Sequence, residues 1–425
     1  MAPSDASFDR YVDYLAGGAG DERYAWPEAT LTVNLTGLTS GRYVSAPMLE
    51  SAKLALQAWT VTTGITFALT SSATADITAD NEEPGAGYCS TAWRGDELTD
   101  ADISIGKDWM NGFPADERWG IGDYGLQTFI HEIGHALGLY HGGDYDGDAN
   151  WDRDALFTKD TNQYSVMSYF VQSNFGDATD LNRATPGIAD IAAIRELYGA
   201  LPVNAGNTTY GRSGYYDFAA NPDAAFTIAD TGGADTIDLR GLGAAARLDL
   251  RPGAFSNLNG HVKNLAIAHD TTIERGYGGT KADVLIGNGA HNLLRGYGGA
   301  DVIMGGNGRD TLEGAAGADS LSGGNGADLF RYNAVAETAG DLILEFGNGA
   351  DRIALSAIDA RAGTPRNDVF AFIGRDAFGA HAGELRYGFA SGDTLLTGDR
   401  DGDGRADFTL RLEGQIALTA VDFIL

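Results

Sequence analysis

The feature that most constrains this chain is a fixed nine-residue period. Leu285, Leu294, Ile303, Leu312, Leu321 and Phe330 stand nine apart, and so do Asp283, Asn292, Asp301, Asp310, Asp319 and Asp328. The fullest units open at Gly305-Gly306-Asn307-Gly308 and Gly323-Gly324-Asn325-Gly326. They have the form Gly-Gly-x-Gly-x-Asp-x-apolar, the repeat of calcium-binding parallel β-helices. Each unit predicts a tight turn, permitted by glycines at positive φ, and a short strand with one apolar side chain inward. A flexible glycine-rich linker has no reason to space apolar residues this way. One turn cannot complete a calcium shell of six to eight oxygens, so ions must lie between successive turns. The expected ligands are Gly279, Asp283, Gly296, Gly298, Asp301, Gly305, Gly306, Gly308, Asp310, Gly314, Gly317, Asp319, Gly323, Gly324, Gly326 and Asp328. Lys281 takes a glycine position in the first unit and Asn292 replaces the aspartate of the second, so weaker binding is expected there.

Composition agrees. Lysine and arginine total 29 against 59 aspartates and glutamates, a formal charge of −30, which argues against nucleic acid or an anionic membrane as partner and favours cations. The single cysteine, Cys89, excludes an intramolecular disulfide and a four-cysteine zinc site, and reads as a buried or rim thiol. The start of the chain has neither a basic segment nor an apolar one, so no N-terminal signal peptide is expected, and no apolar run is long enough to insert in a membrane.

Residues 1–203 read as α/β. Leu31–Leu35 and Ala101–Ile105 alternate as strands do, Ala46–Val61 has helical apolar spacing, and Ile188–Tyr198 is a helix begun after Pro186 and ended at Gly199. Beyond Ala200 helix signals thin out, so residues 204–425 are expected to form an all-β second domain.

The chemical centre lies in the first domain. In His131-Glu132-Ile133-Gly134-His135-Ala136-Leu137-Gly138-Leu139-Tyr140-His141 the first two histidines share one helix face, and Glu132 is placed to activate a water. Gly138 can end the helix in a left-handed conformation and turn the chain so that His141 supplies a third nitrogen. Three protein ligands leave zinc an open position, the arrangement of a catalytic site. Zinc lowers the pKa of water to about 7 and polarises a carbonyl, while Glu132 takes a proton and hands it to the leaving amine.

This motif, followed by Ser165-Val166-Met167-Ser168-Tyr169, resembles a metzincin with its Met-turn, and the appended repeats resemble the serralysins over nearly the whole chain. The resemblance implies a metzincin catalytic domain followed by a parallel β-roll of RTX type. It implies zinc on His131, His135 and His141, Glu132 as general base, Met167 beneath the metal, and Tyr169 as a further zinc ligand that swings off to stabilise the oxyanion. It also implies a calcium site ahead of the repeats from Asn204, Gly206, Thr208, Asp230, Gly232 and Asp235, although the family carries arginine and aspartate where Asn204 and Asn207 stand. Thr272 and Glu274 resemble ligands that open the repeat array.

Asp399-Arg400-Asp401-Gly402-Asp403-Gly404 looks like the front of an EF-hand loop, but Leu410 occupies the position of its closing glutamate, which favours a solvated acidic turn. Asp144, Asp146 and Asp148 read as a solvated loop. The C-terminus, Val421-Asp422-Phe423-Ile424-Leu425, reads as a last strand and resembles the uncleaved signal of a type I secretion apparatus. The expectation is therefore a secreted, extracellular, monomeric zinc metalloendopeptidase, stabilised by calcium, acting on protein or peptide substrates and allowing for a proteinaceous inhibitor. The competing expectation is a calcium-dependent surface or adhesin module with an inactive protease-like domain.

Overall fold

The computed structural model describes residues 7–40, 46–83, 85, 87–106, 108–109, 119–347, 350–363 and 366–425. Residues 1–6, on which much of the reading of the chain start rested, lie outside these.

In the N-terminal half, helix α1 (Phe8–Gly17) is followed by β1 (Thr30–Asn34), helix α2 (Ala46–Thr63), β2 (Thr66–Leu69), β3 (Ile77–Asp80), β4 (Gly87–Arg94) and β5 (Glu97–Ile105). The strands form one sheet in the order β2-β1-β3-β5-β4, parallel except for β4, which runs antiparallel along one edge. Helix α3 (Tyr124–Ala136) and helix α4 (Ile188–Tyr198) complete this half. Along α3 the side chains of Leu126, Phe129, Ile130 and Ile133 recur at helical spacing and are buried. They pack α3 beside α2, where the Trp59 indole N–H donates to the Ile130 carbonyl at 3.0 Å.

The C-terminal half is a two-walled roll. Thr236–Asp238, Arg275–Tyr277, Leu293–Gly298, Thr311–Ala316, Leu329–Arg331 and Arg352–Ala354 are parallel neighbours in one wall. Arg247–Asp249, Val284–Ile286, Val302–Gly308, Ser320–Gly326 and Leu342–Leu344 form the other. Consecutive repeats fall on alternate walls, so stacked neighbours are 18 residues apart: the Asp283 N–H, for example, donates to Asp301 Oδ1. Leu285, Leu294, Ile303, Leu312, Leu321 and Phe330 are all fully buried between the walls. Beyond the repeats, Glu384–Ala390, Asp393–Asp399 and Phe408–Leu412 make an antiparallel meander joined to Leu342–Leu344, and Phe423–Ile424 pairs parallel with Arg352–Ala354. No helix among the described residues is long and apolar enough to cross a membrane.

Candidate metal centre

Helix α3 ends where the motif needs it to. Gly138 has φ +95°, its N–H donates to the His135 carbonyl at 2.9 Å, and the Leu139 N–H reaches back to the Gly134 carbonyl at 3.0 Å. This is the paired bonding of a Schellman cap, which requires a residue free to be left-handed. A Cβ on Gly138 would also stand 2.1 Å from the Tyr24 carbonyl oxygen. The Trp26 indole N–H (2.8 Å) and the Tyr198 hydroxyl (2.9 Å) donate to the carbonyls of Ala136 and Leu137, which the helix itself leaves unpaired.

The turn brings His141 back to His131 and His135. Their three Nε2 atoms lie 2.9 to 3.2 Å apart. Each Nδ1–H is fixed by a carbonyl at 2.8 Å: Val166 for His131, Leu139 for His135 and Tyr145 for His141. Every Nε2 lone pair is therefore free and aimed at one point. Burial holds the imidazoles neutral, driving His135 down to about 3 and His141 to about 4, with His131 also well below its usual value. Neutral nitrogens crowded together without a proton to share fit a divalent cation of zinc's ligand preference.

Glu132 is buried beside the triad and is pushed up to about 8 by burial and then by the charge of Asp146. A dication at the histidines acts in the opposite direction and favours the carboxylate. Tyr169 places its ring 4.6 Å from that of His141 and 5.6 Å from that of His131. Burial, followed by Glu132 and Asp146, pushes its hydroxyl up to about 12, so it remains a donor. Met167 is fully buried under α3; a Cβ on Gly134 would meet its sulfur at 2.4 Å. His131, Glu132 and Tyr169 line a cleft of about 500 Å³. Cys89 is half-buried on β4, its thiol pushed well up by burial and then by Glu132, which keeps it from being a thiolate.

Three supporting residues escaped the sequence reading. Buried Asp190, on α4, accepts from Ser165 Oγ, from the Val166 N–H at 2.7 Å and from the Gly187 N–H at 2.6 Å, tying the Met-turn to α4 and hence fixing the carbonyl that orients His131. Buried Asp160 accepts from the Tyr145 hydroxyl at 2.9 Å, and the Tyr145 ring stacks on His141 at 5.3 Å. No local spacing announces these contacts.

In the roll, Asp301, Asp310, Asp319 and Asp328 are buried, and each uses Oδ1 to accept the N–H of the residue one coil below. Each Oδ2 is buried with no partner. Gly296, Gly305, Gly314 and Gly323 let the backbone close on that oxygen, since a Cβ would come within 2.0 to 2.4 Å of it. At Gly306, Gly308, Gly317, Gly324 and Gly326 φ lies between +88° and +155°. Gly298 faces the Ala316 carbonyl of the next coil. Asp283 differs: its Oδ2 accepts the Gly279 N–H at 2.6 Å. Buried carboxylate oxygens left bare in a ring of carbonyls fit a hard cation such as calcium. Asp341 and Asp351, beyond the repeats as read from sequence, continue the two columns by accepting from Asp319 N–H and Asp328 N–H, and Asp341 Oδ2 is likewise unpartnered.

Ahead of the repeats, Thr208 donates its hydroxyl to the Gly206 carbonyl (3.0 Å) and its N–H to Asp235 Oδ1 (2.8 Å), while Asp230 accepts from the Gly232 N–H (2.9 Å). Asn204, at φ 48°, spends its amide on the carbonyls of Val61 and Ala229 and offers only its own carbonyl to this group. Asp235 Oδ2 is buried and unpartnered. Glu274 Oε2 accepts the Asp235 N–H at 2.7 Å; Thr272 is exposed. Asp399, Asp401 and Asp403 do gather, but Asp399 is fully buried and accepts from the N–H groups of Gly402 and Gly404, and Leu410 is buried in its strand. Asp144, Asp146 and Asp148 are exposed.

A three-histidine centre at the end of a helix, a buried glutamate beside it and a methionine beneath it, with a parallel β-roll behind, define a zinc-dependent endopeptidase of the metzincin class. The family description "Peptidase M10 serralysin C terminal" matches residues 201–425 and "Matrixin" matches residues 25–149. The chain is 36% identical to "Metallopeptidase AprA" of Pseudomonas marginalis, over 97% of this chain and 87% of the relative. It is 38% identical to "Metalloprotease AprA" of Pseudomonas entomophila (strain L48), over 87% and 78%, and 36% identical to "Serralysin A" of Dickeya chrysanthemi, over 89% and 80%. The chain belongs to the serralysin family and is a zinc metalloendopeptidase. The reading as an inactive surface or adhesin module has no support among these relatives.

Proposed function

We propose that His131, His135 and His141 hold the zinc, with Tyr169 as a further, displaceable ligand, and that Glu132 and Tyr169 carry the chemistry of peptide hydrolysis. The observation that supports this most is the convergence of three Nε2 atoms, each with its Nδ1–H already committed. Zinc bound there supplies a Lewis acid for the scissile carbonyl and lowers the pKa of water. Glu132 removes the water proton as the oxygen attacks and delivers it to the departing amine nitrogen. Tyr169 donates its hydroxyl to the oxyanion that forms on the carbonyl.

The second half of the proposal is that residues 204–425 fold around calcium held by Asp235, Asp301, Asp310, Asp319, Asp328 and Asp341, with glycine carbonyls completing each shell. Unpartnered buried Oδ2 atoms support it. On this reading the protein acts outside the cell on protein substrates, and its C-terminal strand serves a type I exporter, since calcium is scarce in cytosol and abundant outside. Zinc analysis with casein digestion tests the centre: Glu132→Ala should retain zinc and fold and lose at least about 10²-fold in activity. Near-normal digestion by that variant would sink the mechanism.

A further inference from the structure

His141 is the ligand that helix α3 does not carry, so something outside the helix must hold it. The turn at Gly138 directs it toward the metal, its Nδ1–H donates to the Tyr145 carbonyl at 2.8 Å, and the Tyr145 ring stacks on its own at 5.3 Å. Whatever fixes Tyr145 therefore fixes His141. Tyr145 is fixed at its far end, where the hydroxyl donates to both oxygens of Asp160, at 2.9 and 3.1 Å.

Asp160 is fully buried, and its partners are hydroxyls rather than cations. Burial pushes its carboxyl up to about 6, against the pull of the Ser168, Tyr145 and Tyr11 hydroxyls. Those three donors come from separate parts of the chain. Ser168 stands between Met167 and Tyr169, Tyr145 follows the third histidine, and Tyr11, whose hydroxyl lies 3.4 Å from Asp160 Oδ1, belongs to helix α1. Gly142 permits the convergence: a Cβ there would stand 2.2 Å from Asp160 Oδ1 and 2.9 Å from the Tyr11 ring. Helix α1 grips the same loop a second time, its Leu15 carbonyl accepting the Tyr140 N–H at 2.8 Å. Tyr11 and Tyr14 also pack on Phe157, with ring centroids 5.4 and 5.5 Å away. A buried carboxylate ringed by hydroxyl donors is held in one orientation and holds its donors in turn. Its negative charge also favours a dication at the histidines.

We infer that Asp160 is a positioning residue of the metal centre, and that through it helix α1 is part of that centre. On the reading of His141 as a zinc ligand, given above, Asp160 is the outer carboxylate of a chain of contacts in which Tyr145 stands between it and the imidazole. Tyr11 and Ser168 fix the carboxylate from its other sides. Docking of helix α1 thus sets the third ligand, although α1 supplies no ligand itself. Outer partners of this kind govern metal affinity because they fix the orientation of the imidazole before the metal arrives.

Zinc affinity by chelator competition, and the visible absorption bands of the cobalt-loaded full chain, read the ligand geometry apart from activity. Tyr145→Phe keeps the ring and the carbonyl that hold His141 and removes only the link to Asp160. Asp160→Asn keeps the volume and removes the charge. Each should weaken zinc binding by about tenfold or more and shift the cobalt bands. Tyr11→Phe should weaken it less, by about threefold, and should add little in a Tyr145→Phe background, because both act through Asp160. In each variant kcat should fall with KM little changed. His141→Ala separates the two readings: wild-type zinc affinity in that variant indicts the ligand assignment. A large loss there, with wild-type affinity and unshifted cobalt bands in both Tyr145→Phe and Asp160→Asn, would overturn the positioning role. Full additivity of Tyr11→Phe with Tyr145→Phe would overturn the part assigned to helix α1.

Discussion

Asn292 and Asp310 occupy the same station of successive coils, joined by the Asn292 N–H donating to Asp310 Oδ1 at 2.8 Å, and they meet the coil below in opposite ways. Asp310 leaves Oδ2 buried and bare, whereas the Asn292 amide donates to the carbonyls of Ile273 (3.1 Å) and Glu274 (3.3 Å). Asn288 does the same to Leu250 and Ile273. An amide nitrogen here stands in for a cation. Asn292→Asp should therefore raise the number of calcium ions bound at equilibrium, read by dialysis and elemental analysis. Replacing both Asp310 and Asp319 by alanine should lower that number and raise the calcium midpoint of folding seen by circular dichroism.

Protonation should substitute for calcium in the same columns. Burial pushes Asp301, Asp310 and Asp341 up to about 7, well above the roughly 3.9 of an unfolded aspartate. A raised folded pKa means stability that is present below about pH 4 and lost as pH climbs through 7. In excess chelator the melting temperature should fall between pH 5 and pH 8. Saturating calcium, which requires the carboxylates ionised, should remove or invert that slope.

Gly138→Ala should uncouple the third histidine. The backbone there is left-handed and the added methyl meets the Tyr24 carbonyl, so the cap must open and His141 must move. Zinc affinity, measured by chelator competition, should drop by about tenfold or more. Retention of wild-type affinity would show that His141 is positioned by Tyr145 and Asp160 instead.

Tyr169→Phe removes one donor and keeps the ring contacts with His141 and Tyr145. If the hydroxyl serves the oxyanion, kcat should fall by about 10² with KM little changed. A change confined to KM would assign Tyr169 to substrate binding.

Whatever is set within one turn of helix or one repeat is legible in the sequence. His131, Glu132 and His135 share a helix, Gly138 is the residue that can reverse it, and the nine-residue apolar period fixes which side chains enter the roll. These follow from local geometry and from the left-handed backbone that glycine accepts. The array also extends further than its period showed. Asp341 and Asp351 keep the columns going, but the hydrogen bonds that place them span 22 and 23 residues where the repeats span 18, so insertions hide them. The remaining contacts are made by packing between distant segments. Asp190 reaches Val166 across 24 residues, Asp160 reaches Tyr145 across 15, and Arg183 stands behind Asn162 across 21. Such pairs form because a buried polar group must find a partner wherever packing brings one, and sequence spacing carries no record of which one that will be.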